Sequence, residues 1–196
     1  MKLNEIFDVD SAQNLEQDNA DQIGSGMFAT VHQSKNDPHM VNRITTPSRD
    51  RNKLFQKEDG FEIYAFNIID SKINESNPTF PRIYKRADGK YQIEKLVKLD
   101  SVGHEELLNY IENNFDINLD PGYSSHDLAF ELTMLLANCF DMQDYSAVKN
   151  KYIIAACKWI ENLARMSGTT LDIHGGNFMF RRTQHGLQLV ITDPLY

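Results

Sequence analysis

The chain has 196 residues, 20 of them lysine or arginine and 28 aspartate or glutamate for a net charge of −8, and 41% of it is hydrophobic. That composition excludes a wholly disordered or fibrous protein, and the acidic balance argues against direct binding to nucleic acid or an anionic membrane, which needs a basic face. The two cysteines, Cys139 and Cys157, lie in apolar helical patterns with no CxxC or Cys/His cluster, so neither a disulfide framework nor a zinc site is expected.

Residues 1–22 hold six acids (Glu5, Asp8, Asp10, Glu16, Asp18 and Asp21) against Lys2, which supplies −5 of the −8. A solvated, partly disordered lead-in is expected there, with a partner-docking arm as the alternative; the polar start does not read as a signal peptide. Strand patterns follow at residues 28–32 and 39–44, joined by the turn-rich Ser34-Lys35-Asn36-Asp37-Pro38. A helical period runs through residues 54–69, starting between Lys53 and Phe61 because Gly60 weakens it. Residues 81–84 and 91–97 bracket Asp88-Gly89, a strong hairpin signal.

The second half is mostly helical. Apolar residues share one face over residues 104–115, 127–140 and 147–166, and Gly168 stands where the last of these should stop. Two short strands at 178–180 and 187–191 flank a polar turn. The apolar stretches at 129–140 and 152–160 are interrupted by Glu131 and Lys158 and are too short to span a membrane. The fold class predicted is α+β: an acidic segment 1–22, a lobe at 23–99 with an antiparallel sheet and one helix, and a helical lobe at 100–196.

Two constellations carry chemistry. In Gly24-Ser25-Gly26-Met27-Phe28-Ala29-Thr30-Val31 the glycines let backbone approach a phosphate, and their place between strands, rather than at a helix start, is the context of a kinase glycine-rich loop. A Gly-Ser-Gly turn alone is more often structural. The second is Asp172-Ile173-His174-Gly175-Gly176-Asn177, followed after a hairpin by Ile191-Thr192-Asp193-Pro194. Phosphoryl transfer needs an acid at the attacking hydroxyl, an amide oxygen on a metal ion and a carboxylate joining metal to phosphates; Asp172, Asn177 and Asp193 supply these in order at kinase catalytic-loop spacing.

On these residues the chain resembles the early serine/threonine protein kinase of short-tailed, autographivirus-type phages, and more distantly protein kinases and aminoglycoside-type kinases at large. The resemblance spans about residues 23–194. It implies a minimal two-lobed protein kinase-like fold, ATP in the cleft with Mg²⁺, and phosphorylation of host proteins in the host cytoplasm. By position it makes Asp172 the catalytic acid/base. It sets Gly24, Ser25, Gly26, Phe28 and Val31 around the nucleotide, and Asn177 and Asp193 on Mg²⁺. Glu94 and Leu96 fall in the hinge segment 94–99. Arg43 stands where a phosphate-binding lysine is usual, with Glu62 as its helix partner, Glu58 as a rival for that role, and Lys53 or Lys57 able to substitute for the arginine.

The sequence departs from that pattern in places. Arginine replaces the lysine, Ala29 the third glycine, and Thr170-Leu171 the usual His-Arg before the catalytic acid, so activation through a phosphate–arginine pair is not expected. Only Pro194, Leu195 and Tyr196 follow Asp193, without an activation segment. The alternative expectation is therefore a pseudokinase-like protein that binds and inhibits a host factor; an aminoglycoside-type small-molecule kinase is a third.

Overall fold

The computed structural model describes residues 19–25, 29–45, 60–87 and 90–196. Residues 1–18, Gly26, Phe28, the expected helix start with Lys53, Lys57 and Glu58, and the Asp88-Gly89 turn lie outside the described residues. The architecture is α+β, as the sequence predicts, and the chain divides into two compact units.

The first unit takes the described residues up to Ser71, and Arg82–Lys95. Its five strands are β1 (Asn19–Ser25), β2 (Ala29–Ser34), β3 (Met40–Thr45), β4 (Ile83–Ala87) and β5 (Lys90–Glu94), all antiparallel in the order β1-β2-β3-β5-β4. Because side chains alternate along a strand, Val41, Arg43 and Thr45 share one face, and the register sets Val31, Arg43 and Tyr91 side by side across three strands. Helix α1 (Gly60–Ser71) contributes Phe61, Tyr64, Ala65 and Ile68, all buried, and packs on β4. Burial of each large side chain contributes roughly 1.5–3 kcal/mol.

The second unit takes Lys72–Pro81 and Leu96–Tyr196. It contains a single helical turn, α2 (Ile73–Ser76), the short strand β6 (Val97–Lys98), and helices α3 (His104–Asn114), α4 (Ser125–Met142) and α5 (Lys151–Ser167). The hairpin β7 (Phe178–Thr183) and β8 (Gly186–Ile191) completes it. The sheet order is β6-β7-β8, and α3 packs on both α4 and β8. Leu107, Ile111, Leu128, Leu132, Ile160, Phe178 and Phe180 form the core, with Tyr110 meeting Phe180 edge-on at 4.9 Å.

Three expectations need correcting. Residues 72–81, assigned from sequence to the first lobe, pack with the second unit. Asn77 donates to the Tyr152 carbonyl at 2.9 Å, Phe80 meets Trp159 at 5.0 Å, and Arg181 donates to the carbonyls of Pro78 (2.7 Å) and Phe80 (3.1 Å). The 91–97 strand is two elements, with the passage between units at Lys95 and Leu96 rather than after Leu99. Residues 19–22 belong to a strand, not to a lead-in, because β1 pairs with β2. Among the described residues no helix is long and apolar enough to cross a membrane.

Candidate active site

Helix α5 ends on Gly168, whose φ of 68° places it in the left-handed region that terminates a helix cheaply only with glycine. The chain then runs beside its own last residues. Thr170 and Tyr196 exchange backbone hydrogen bonds at 3.1 and 2.8 Å, Leu171 bridges Leu195, and the Asp172 N–H donates to the Pro194 carbonyl at 2.8 Å. This pairing fixes the backbone of Asp172, whose side chain remains 44% exposed.

A 3₁₀ turn over Gly175–Asn177 follows. The Asn177 side chain, 6% exposed, reaches back to donate from Nδ2 to the Asp172 carbonyl at 2.6 Å. Thr192 donates from both its N–H (2.8 Å) and its hydroxyl (3.1 Å) to the Asn177 carbonyl, which ties the residue before Asp193 to the loop. Asp193 is half-buried, and its Oδ1 atom is enclosed. Asp172, Asn177 and Asp193 are therefore held in one hydrogen-bonded frame made by the loop, the end of β8 and residues 194–196.

Beside this frame lies an open cavity of about 580 Å³. It is lined by Phe130, Thr133 and Met134 of α4, by Ile173 and His174 of the loop, and by Lys98 and Met179. Phe130 is 57% and Met134 42% exposed, an apolar pair one helical turn apart facing a polar loop. Sequence periodicity reads α4 as core packing and misses this second face. The signal available in the sequence is that Phe130 and Met134 fall off the stripe of Leu128, Leu132 and Leu136.

The expected nucleotide-side residues lie in the first unit. Gly24, within β1, pairs with Val31 of β2, and Ser25 pairs with Thr30; Gly26 and Phe28 lie outside the described residues. Arg43 is buried, with its guanidinium 3.7 Å above the Phe61 ring and a hydrogen bond to Thr45 Oγ1 at 3.3 Å. Thr45 in turn donates to Glu62 Oε1 at 3.2 Å, and the Tyr91 hydroxyl donates to Glu62 Oε2. Arg43 and Glu62 thus belong to one cluster, linked by Thr45. Thr45, Phe61 and Tyr91 were not legible as members, since nothing in their spacing links a strand hydroxyl to a helix carboxylate, or a strand arginine to a helix ring. Glu94 accepts from the Arg82 N–H through Oε1 and donates its own N–H to the Arg82 carbonyl, and the Lys95 N–H goes to the His39 carbonyl. Leu96 is half-buried.

No protein-family model matches the chain, and no curated protein matches it. Among solved structures it is similar to the phosphotransferase APH(2″)-IIa in a ternary complex with streptomycin and ATP, at 11% identity and a TM-score of 0.38. That match covers 96% of this chain and 72% of the other. The ADP-bound aminoglycoside phosphotransferase APH(2″)-Ib is similar at 10% identity and a TM-score of 0.37, with the same coverage. At these values the functional reading rests on the chain's own residues.

Proposed function

We propose that this protein is an ATP- and Mg²⁺-dependent phosphotransferase of the protein kinase-like class, acting on serine or threonine hydroxyls of host proteins in the host cytoplasm. The observation that carries the reading is the frame around Asp172, Asn177 and Asp193. The pairing of residues 170–172 with 194–196, the Asn177 amide and Thr192 all act to hold the backbone from which those three side chains project.

The donor set fits Mg²⁺. The donor end of the Asn177 amide is committed to the Asp172 carbonyl, which leaves its oxygen as the end that could serve a cation, and Asp193 supplies carboxylate oxygen. When bound, the ion neutralises charge on the phosphate oxygens. Asp172 accepts the proton of the acceptor hydroxyl as that oxygen bonds to the γ-phosphorus and the bond from phosphorus to the ADP oxygen breaks. The part-exposed carboxylate suits contact with a substrate, and the cavity against α4, lined by the neighbouring Ile173 and His174, is available to seat the group flanking the hydroxyl.

In the first unit, among the described residues, a Cβ on Gly24 would meet Val31 Cβ at an ordinary 3.8 Å, so the described packing does not demand glycine there, whereas close approach of phosphates would.

A second reading, a pseudokinase-like binder of a host factor, is favoured by one observation: Arg43 is 7% exposed and stacked on Phe61, a structural engagement at the phosphate-contact position. Incubation with γ-labelled ATP, Mg²⁺ and host lysate separates the two. Wild type is expected to label host proteins, with Asp172→Ala lower by roughly 100-fold or more. Equal labelling by both proteins would remove the catalytic reading, and a folded but inactive wild type that retains a stoichiometric host partner would favour the second.

A further inference from the structure

We propose that His174 is the positioning residue for Asp172: it presents its Nε2–H to one carboxylate oxygen and leaves the other for the acceptor hydroxyl. The inference rests on the phosphotransfer reading for its consequence, and on local geometry for its substance.

The Gly176 N–H donates to His174 Nδ1 at 3.1 Å. An accepting Nδ1 carries no hydrogen, so the ring proton lies on Nε2. That atom stands 3.6 Å from Asp172 Oδ2, longer than a hydrogen bond but close enough for the N–H dipole to orient the carboxylate. The imidazole is thus polarised from one side by backbone and aimed at the acid on the other.

The two glycines of the loop acquire a reason from the same arrangement. A Cβ on Gly176 would stand 2.9 Å from His174 Cε1 and 3.1 Å from Nδ1, so only glycine lets the ring lie against this peptide. A Cβ on Gly175 would come within 3.2 Å of Thr133 Oγ1, whose hydroxyl is already committed to the Ala129 carbonyl at 2.8 Å. Gly175 therefore lets the loop sit against α4, and Gly176 lets His174 fold back over it. A histidine serving only to cap the 3₁₀ turn would need just the Nδ1 contact. The aim of Nε2 at Asp172 is the additional feature.

The two ring nitrogens can be tested separately, because an asparagine oxygen stands in for Nδ1 and a glutamine amide for Nε2. In the labelling assay, His174→Asn is expected to unfold at the wild-type temperature while kcat falls by roughly 10- to 100-fold and KM for ATP stays within about twofold. His174→Gln is expected to recover most of what Asn loses. Wild-type kcat in His174→Asn, or equal losses in both variants, would overturn the proposal.

Nitrogen NMR of the ring decides the geometry without activity. The Nε2–H tautomer, with a signal that moves in Asp172→Ala, is expected, and an Nδ1–H tautomer would overturn the proposal. If wild type transfers no phosphate while the Nε2–H tautomer and its response to Asp172→Ala are found, the functional reading fails and the His174–Asp172 relation stands.

Discussion

Asn177 shows how much one side chain organises. Its amide is nearly enclosed and donates to the carbonyl of Asp172, so truncation leaves that carbonyl without its donor. Asn177→Ala is expected to cost about 1–3 kcal/mol in chemical denaturation, besides any loss of activity. Tyr91 makes the same point in the first unit. It is fully buried and donates to Glu62, so Tyr91→Phe removes one of the two hydroxyl donors that the described residues place on that carboxylate. A loss of about 1–3 kcal/mol is expected for this variant, read by urea unfolding. The residues proposed to carry transfer, Asp172, Asn177 and Asp193, stand out in the sequence because few residue types could do that work and their order is constrained. Thr45, Tyr91, Thr192 and His174 were not, since each acts through a partner set by strand register or loop curvature.

At the scale of elements, helices were read well where a local stop or cap decides the end, as at Gly168. The start of α5 was expected near Ala147 but falls at Lys151. Asn150 accepts from the Tyr152 N–H and caps the helix, while Ala147, Val148 and Lys149 pair with residues 114–116. Strand β1 lacks alternation and exists through its partner β2, which no local pattern reveals.

Helix α4 opens with a capping box in which Asp127 accepts from Ser124 at N–H and hydroxyl, holding its carboxyl below the usual range. A depressed native pKa contributes stability above the ordinary carboxyl pKa of about 4 and loses it as pH falls through the native value. Ser124→Ala should therefore lower the melting temperature at pH 7, with a smaller difference from wild type in strong acid. Leu195, 3% exposed, anchors the segment paired with residues 170–172. Leu195→Ala is expected to cost about 2–5 kcal/mol and to loosen the loop, seen as faster amide exchange at Asp172.

Across the whole molecule, the three residues proposed to carry transfer belong to the second unit, and the Arg43–Thr45–Glu62 cluster to the first. The charge of −8 suits a protein acceptor or partner better than a polyanion. The free cysteines fit a structural role: both are buried, and burial pushes the Cys139 thiol up to about 11 and raises that of Cys157 as well. Native protein should react with a thiol reagent at pH 8 roughly 100-fold more slowly than unfolded protein.

The claim on which the rest depends is that Asn177 and Asp193 form a working magnesium–nucleotide site beside Asp172. Calorimetric titration of wild type and Asp193→Asn with ATP, with and without Mg²⁺, tests it directly. Wild-type affinity is expected to rise by at least about tenfold with Mg²⁺, and that gain should vanish in Asp193→Asn while the variant keeps its fold. Equal affinity with and without the ion in wild type would contradict the account.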